Sequence, residues 1–123
     1  MGDYRKLKIY EKSYRAAVSS YRMTEKFPEE EKYGMTSQIR RASMSIALNI
    51  AEGNAKRESK SEFKRFLMMA LGSANEMRVL IDFAKEFGYI DEETHRKASN
   101  EYEGLGKMIR VFIEKLAEQK PNT

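Results

Sequence analysis

Apolar residues recur at intervals of three and four along four stretches of the chain, and this period restricts what the chain can fold into. Such intervals place apolar side chains on one face of an α-helix, and no stretch alternates as a half-buried strand does. Glycine, proline and charged residues interrupt the period at three short joints. The predicted helices cover residues 7–26, 36–52, 59–87 and 91–118.

The short joints indicate how these helices are arranged. At 1.5 Å per residue, the third and fourth helices are each about 40 Å long and the first two are closer to 30 Å. Short connections make consecutive helices neighbours that run in opposite directions. The sequence therefore predicts an all-α fold, an antiparallel up-down four-helix bundle, in a single domain over residues 1–123.

Residues at the joints predict where helices begin and end. Thr36 is a candidate N-cap of the second helix, and Gly53 suits the left-handed position just beyond a helix. Ser59 and Glu62 have the spacing of a capping box ahead of the third helix. Asp91 is expected to cap the fourth helix.

The composition excludes several classes of protein. The chain has no cysteine, which excludes disulfides and thiolate metal sites and favours a cytoplasmic location. No uncharged run is longer than that of residues 42–51, which is far shorter than the roughly 20 residues needed to span a membrane. The charged N-terminal residues lack the apolar segment of a signal peptide. We therefore expect no membrane partner.

The sequence offers no catalytic or metal-binding set. Its single histidine, His95, follows Glu92 at the spacing found in di-metal bundles, but such a site needs a second pair and further glutamates. No cysteine is present, and no histidine is placed to activate a serine. The segment "EGNAKRESK" lacks the G-K-[ST] ending of a phosphate-binding loop. We expect no enzymatic activity, no metal and no cofactor.

Two of the predicted helices carry more apolar surface than a single bundle needs. The second has Ile39, Ile46 and Ile50 on one side and Met44, Leu48 and Ala51 on the other. The third has a second apolar face made of Met68, Met69, Gly72, Val79, Leu80 and Phe83. Such residues either pack within the bundle or mark an interface, and we favour self-association.

A narrow polar stripe separates the two apolar sides of the second helix. It occupies about 80° of arc and consists of Gln38, Arg41, Ser45, Asn49 and Glu52. One interpretation is structural: these groups bond one another or a neighbouring subunit inside an interface. The other is that Arg41 and Asn49 reach a ligand. Because apolar positions flank the stripe, the structural interpretation is favoured.

A dense group of basic residues follows the second helix. We define the basic cluster as Lys56, Arg57, Lys60, Lys64 and Arg65. With two acidic residues among them, residues 56–65 carry a net charge of +3, out of +4 for the whole chain. A helix N-terminus at this point adds N–H groups and a dipole that favour phosphate.

The basic cluster is either a solvated corner or a site for RNA or DNA. Arg5, Lys6 and Lys8 form a second, smaller basic group. Aromatic side chains are not interleaved as a base-stacking surface requires, since Phe63 and Phe66 are expected in the core. If nucleic acid binds, we expect phosphate contacts with little reading of bases.

Several segments together resemble a known family. They are "KFPEEEKYGMTSQIRRASMSIALNIAEG", "KSEFKRFLMMALGSANE", "YRKLKIYEKSY" and "FGYIDEETHRK". The chain resembles the bacterial four helix bundle proteins, or 23S rRNA intervening-sequence proteins, over nearly its whole length. The resemblance implies a ring-like homopentamer of up-down bundles without enzymatic activity.

A related branch of that family points to the same kinds of partner. It is the accessory protein of diversity-generating retroelements, which works with nucleic acid and a reverse transcriptase. The alternative function is therefore an oligomeric scaffold that engages another protein, such as a reverse transcriptase, without reading nucleic acid. One departure is Ala47, where many members have proline, so we expect a straighter second helix.

Overall fold

The computed structural model describes residues 2–118, which contain four long helices and no strand. The helices are α1 (Lys8–Thr24), α2 (Met35–Ala55), α3 (Lys60–Glu86) and α4 (Glu92–Glu118). Two short 3-10 turns, Tyr4–Lys6 and Glu29–Glu31, precede α1 and α2. An all-α fold with four helices is confirmed. α2 is continuous through Ala47, and none of these helices is long and apolar enough to cross a membrane.

The core is built mainly from α2, α3 and α4. Their completely buried large side chains include Ile39, Ile46 and Ile50 of α2, Phe63, Leu67, Met77 and Ile81 of α3, and Tyr102 and Ile109 of α4. The helix α1 instead buries mostly small residues, among them Ser13, Ala16 and Ser20. Its Tyr14 and Tyr21 are about half exposed, at 56% and 47%. Tyr14 and Tyr21 therefore lie outside the core, whereas Tyr10 is partly buried against it.

The C-terminal end of α2 differs from the prediction. Gly53 does not follow the helix; it lies within it, and the only positive φ among the described residues is that of Gly88, at 78°. A Cβ atom on Gly53 would lie 3.0 Å from Phe63 Cδ1 and 3.1 Å from Phe66 Cβ. The glycine therefore permits a close approach of α3, and α2 continues to Ala55.

The N-terminal end of α2 is capped by a residue outside the helix. Thr36 is not the N-cap; it is buried within the first turn, and Gly34 occupies the capping position without a side chain. The Glu31 carboxylate accepts the Met35 N–H at 3.0 Å and the Tyr89 hydroxyl at 2.7 Å. These hydrogen bonds stabilise the charged carboxylate and lower the pKa of Glu31.

The caps of α3 and α4 involve the predicted residues. Ser59 Oγ accepts the Glu62 N–H at 3.3 Å, and Asp91 Oδ1 accepts the Thr94 N–H at 2.8 Å. The hydrogen bonds from Thr94 lower the pKa of Asp91. The capping box at Ser59 is only half formed, because the Glu62 carboxylate turns to Arg65 instead.

The second apolar faces are exposed in the single chain, except for the half-buried Ala51 and the buried Leu80. The exposed members are Met44 and Leu48 of α2 and Met68, Met69, Val79 and Phe83 of α3. Leu80 is buried, although the helical wheel placed it on the outer face. Ser73 contacts Ser45 of α2, and Leu80 lies seven residues after Ser73, on the same side of α3. That side faces α2, which explains the burial.

Candidate nucleic-acid interface

The basic cluster lies at the joint between α2 and α3. Lys56 is the C-terminal cap of α2, Arg57 lies in the connection, and the other three residues occupy the first two turns of α3. Four of the five side chains are exposed, while Lys60 is half-buried. The structure thus brings the five predicted cations together at one joint, in an environment that water and a ligand can reach.

Arg65 is the most strongly paired of these cations. Its Nε lies 2.9 Å from Glu62 Oε2 and its Nη2 lies 3.2 Å from Glu62 Oε1. This fork-to-fork pair raises the pKa of Arg65 and lowers the pKa of Glu62. The Glu62 carboxylate therefore already neutralises much of the positive charge of Arg65.

Arg57 closes the end of α2. Its Nη1 donates to the carbonyl oxygen of Asn54 at 3.0 Å. Carbonyl groups at a helix C-terminus lack intrahelical partners and carry partial negative charge, which a guanidinium satisfies. Arg57 therefore has a structural role in addition to its place in the basic cluster.

Phe66 positions two members of the basic cluster. Lys56 Nζ lies 4.9 Å and Arg65 Cζ lies 4.5 Å from the centroid of its ring, both at cation–π distance. The expectation that Phe66 belongs to the core is wrong, since it is only half-buried beside Gly53. Nothing in the sequence signals this contact, because Lys56 meets Phe66 only through the close approach of α2 and α3.

The three lysines of the basic cluster share the lack of an ion pair among the described residues. Within residues 2–118, Lys56, Lys60 and Lys64 make no ion pair. In the N-terminal basic group, Arg5 is paired with Asp3 at 3.1 Å, whereas Lys6 and Lys8 have no ion pair in that part of the chain. The Tyr4–Lys6 turn packs against α2.

The polar stripe of α2 lies along its boundary with α3, apart from the basic cluster. Ser45 Oγ lies 2.9 Å from Ser73 Oγ of α3, and Asn49 Nδ2 donates to the Ser45 carbonyl at 2.8 Å and to its hydroxyl at 3.1 Å. Gln38, Arg41 and Glu52 are exposed. The Asn49 amide is thus used within the bundle, while the ends of the stripe face outward.

Glu92 and His95 turn to different partners on α3. Glu92 binds Lys85 Nζ at 2.8 Å, and His95 Nε2 lies 2.9 Å from Asp82 Oδ1. The same His95 nitrogen is 3.4 Å from Ser99 Oγ, so aspartate and serine share one atom of the imidazole. In a Ser-His-Asp triad they contact opposite ring nitrogens. The described residues contain no group of three or more metal-ligating side chains.

Comparisons with known proteins agree with this fold. Residues 5–111 match the family model described as 23S rRNA-intervening sequence protein. A crystal structure of a protein of unknown function from the S23 ribosomal protein family of Bacteroides thetaiotaomicron is similar, at 27% identity and a TM-score of 0.78. The match covers 86% of this chain and 95% of that one. No curated protein sequence matches the chain. The family match spans most of the sequence, and the chain belongs to the 23S rRNA-intervening sequence protein family.

Proposed function

We propose that the chain is a non-catalytic, self-associating protein that binds RNA or DNA through phosphate contacts from the basic cluster. The observation that carries this proposal is the lack of internal ion pairs for Lys56, Lys60 and Lys64 within residues 2–118. A phosphate that approaches these exposed or half-buried lysines breaks no existing ion pair, so its binding is not opposed by that cost.

The N-terminal basic group supports the same ligand. Arg40, early in α2, donates to Thr24 Oγ1 at the end of α1, over 2.9 Å. The beginning of α1 therefore lies toward the end of α2, where the basic cluster starts. Lys6 and Lys8 add their charges at this end of the bundle, and a polyanion in contact with both groups gains from each.

The proposal includes assembly of antiparallel up-down bundles into a homopentameric ring. The exposed apolar residues of α2 and α3 support self-association, because exposed apolar surface of this extent usually marks an interface. A symmetric assembly repeats the basic cluster on every copy. One nucleic acid molecule that touches several copies then binds more tightly than a single copy allows.

The comparisons add support at the level of names only. The family description refers to 23S rRNA, and the similar crystal structure is assigned to a ribosomal protein family with unknown function. We therefore place RNA or DNA ahead of the alternative, an oligomeric scaffold that uses its charge to dock another protein.

The test is fluorescence anisotropy with labelled single-stranded RNA, duplex RNA and duplex DNA of equal length. Measurements run from about 50 to about 200 mM salt, where phosphate-driven affinity falls steeply. The cluster variant replaces Lys56, Lys60 and Lys64 with glutamine. If each lysine contacts a phosphate, the slope of log affinity against log salt should fall by about 2 to 3.

A matched control removes the same charge elsewhere. It replaces Lys26, Arg78 and Lys97, which are also exposed but lie outside the basic cluster, with glutamine. The control should bind almost as well as the unmodified protein at equal salt. Absence of binding at low salt, or equal losses in the cluster and control variants, rejects the proposal and leaves the protein-docking scaffold as the better explanation.

A further inference from the structure

We propose that α3 of one copy fills a groove between α1 and α2 of the next copy, so that the assembly is built head to tail. The inference rests on the self-association included in the proposed function. It assigns that contact to two different surfaces of the chain. We call these two surfaces the α1–α2 groove and the α3 face.

The α1–α2 groove is an apolar depression of about 540 Å³ on the outside of the bundle. Its exposed apolar walls are Tyr14, Val18 and Tyr21 of α1 and Met44 and Leu48 of α2. Of the residues that the structure describes, Arg22 and Arg40 are the only charged ones that line it. A partner for this groove should therefore present apolar side chains together with a carboxylate.

The two arginines of the groove have no carboxylate partner within the described part of the chain. Arg40 Cζ lies 3.7 Å from the Tyr21 ring centroid, and its Nε donates to Thr24. Arg22 is exposed, and within residues 2–118 neither arginine makes an ion pair. Both lie toward the same end of the groove, because Arg22 is adjacent to Tyr21 in α1.

The α3 face has the complementary properties. It consists of Met68, Gly72, Glu76, Val79 and Phe83, whose spacing places them on one side of the helix. Met68, Val79 and Phe83 are each about half exposed. Glu76 makes no ion pair among the described residues. An apolar helical stripe with one free carboxylate is the kind of element that helix-binding grooves accept.

Gly72 gives this face a property that the single chain does not explain. Glycine within a helix is unfavourable relative to alanine. A Cβ atom on Gly72 would meet no atom of the described part of the chain within 4 Å, and the φ of Gly72 is not positive. Neither internal packing nor backbone conformation therefore requires glycine at this position. Gly104 on α4 has the same freedom, so the glycine is informative only because Gly72 lies in the middle of the exposed apolar α3 face. Close approach of a neighbouring copy to that face accounts for it.

The two surfaces also lie at matching heights along the bundle. Ser73 lies beside Ser45, so Gly72 is level with the Met44–Leu48 wall of the groove. Glu76 follows Gly72 by about one turn of α3, or about 5.4 Å along the helix axis. It is therefore level with the turn of α2 that contains Arg40. Rotation of a copy about an axis parallel to the helices then sets Gly72 opposite the groove and Glu76 near its arginines. Repeated contacts of this head-to-tail kind form a ring when the rotation between successive copies closes.

The test uses two variants that each lose one surface. The groove variant carries Val18→Glu and Arg22→Glu, and the face variant carries Gly72→Leu and Glu76→Gln. Sedimentation velocity should show the unmodified protein as an assembly and each variant alone as a monomer. An equimolar mixture should form dimers that grow no further, because only one intact groove and one intact face remain to pair.

Other outcomes overturn the inference. Either variant assembling alone like the unmodified protein, or a mixture that stays monomeric, shows that these surfaces do not meet. Circular dichroism confirms that each variant is folded. If either variant is unfolded, the milder substitution Gly72→Ala replaces it as the test. We expect Gly72→Ala to leave the thermal stability of the single chain unchanged or higher, and to weaken association about tenfold. Unchanged association in Gly72→Ala rejects the contact.

Failure of this inference is separable from failure of the proposed function. If the unmodified protein assembles while both variants also assemble, only the assignment of surfaces is wrong. If the unmodified protein is a monomer at every concentration, self-association is wrong as well. Anisotropy with labelled RNA and the cluster variant tests the phosphate contacts independently, since the basic cluster lies outside both surfaces.

Discussion

The hydroxyl of Tyr102 on α4 lies 2.6 Å from Ser20 Oγ on α1, and both side chains are buried. The tyrosine hydroxyl donates to the Ala16 carbonyl at 3.0 Å, so Ser20 is the donor in the shorter contact. This polar pair joins the first and last helices at a place where α1 offers only small side chains. Burial raises the pKa of Tyr102, which keeps the phenol neutral.

Removal of the Tyr102 hydroxyl should destabilise the fold. Tyr102→Phe leaves the Ser20 hydroxyl buried without its acceptor, and we expect the free energy of unfolding to fall by about 1 to 3 kcal/mol. Urea denaturation measures the change. In the double variant of Tyr102→Phe and Ser20→Ala, the loss of stability should differ from the sum of the two single losses. Tyr33→Phe is the control, since Tyr33 is 88% exposed. Equal stability of the two phenylalanine variants contradicts the prediction.

A methyl group at Gly53 should be costly even though alanine favours helices. Its Cβ atom would lie 3.0 Å from Phe63 and 3.1 Å from Phe66, so α3 must shift. We expect Gly53→Ala to lower the free energy of unfolding by about 1 to 3 kcal/mol. Gly104→Ala is the matched control because its Cβ atom would meet nothing within 4 Å. That variant should gain up to about 1 kcal/mol, measured in the same denaturation series.

Single substitutions within the basic cluster should have unequal effects on binding. Lys64 has no ion pair among the described residues, whereas Arg65 is bound by Glu62. Lys64→Gln should reduce the salt slope by about one phosphate contact, or about 0.9, and Arg65→Gln should reduce it less. Glu62→Gln should strengthen binding, because it releases Arg65. Anisotropy titrations rank the three variants. A larger loss of salt slope for Arg65→Gln than for Lys64→Gln would show that Arg65, not Lys64, makes the stronger phosphate contact, contrary to the prediction.

The Glu31 carboxylate should contribute a pH-dependent part of the stability. Its pKa in the folded chain is lowered from 4.5 by the Met35 N–H and the Tyr89 hydroxyl. This contribution is therefore complete above pH 4.5 and is lost as the pH falls through the folded pKa. Glu31→Gln should make stability less dependent on pH in that acidic range, as measured by thermal unfolding at a series of pH values.

A second carboxylate provides the comparison for Glu31. Glu114 is exposed and forms no ion pair within residues 2–118, so Glu114→Gln should leave the acidic slope as it is. Identical slopes for the two variants would show that the bonds to Met35 and Tyr89 do not stabilise the ionised form of Glu31.

Helical periodicity was sufficient to predict the four helices, since burial of one apolar face forces a repeat of 3.6 residues. Local chemistry was equally sufficient for the Asp91 cap, because a cap bonds its own first turn. Local rules failed at Gly53 and Thr36. There, contacts from Phe63, Phe66 and Glu31, all distant in sequence or outside the helix, set the ends of α2.

The candidate site divides in the same way. The density of lysine and arginine in residues 56–65 is a property of the sequence, and it located the basic cluster without a structure. Whether each cation forms an ion pair or contacts an aromatic ring depends on which groups its side chain can reach. Phe66 meets Lys56 only because α2 and α3 approach at Gly53, so no spacing in the sequence predicts their contact.

The sequence by itself determined the helices, the excess of apolar surface and the place where positive charge collects, because each follows from residue type and local spacing. Only the tertiary structure decided which lysines lack an ion pair, that the tyrosines of α1 line a groove outside the core, and that Gly72 has no internal reason to be glycine. These properties depend on distances between helices, and those distances are fixed when the side chains of all four helices pack together.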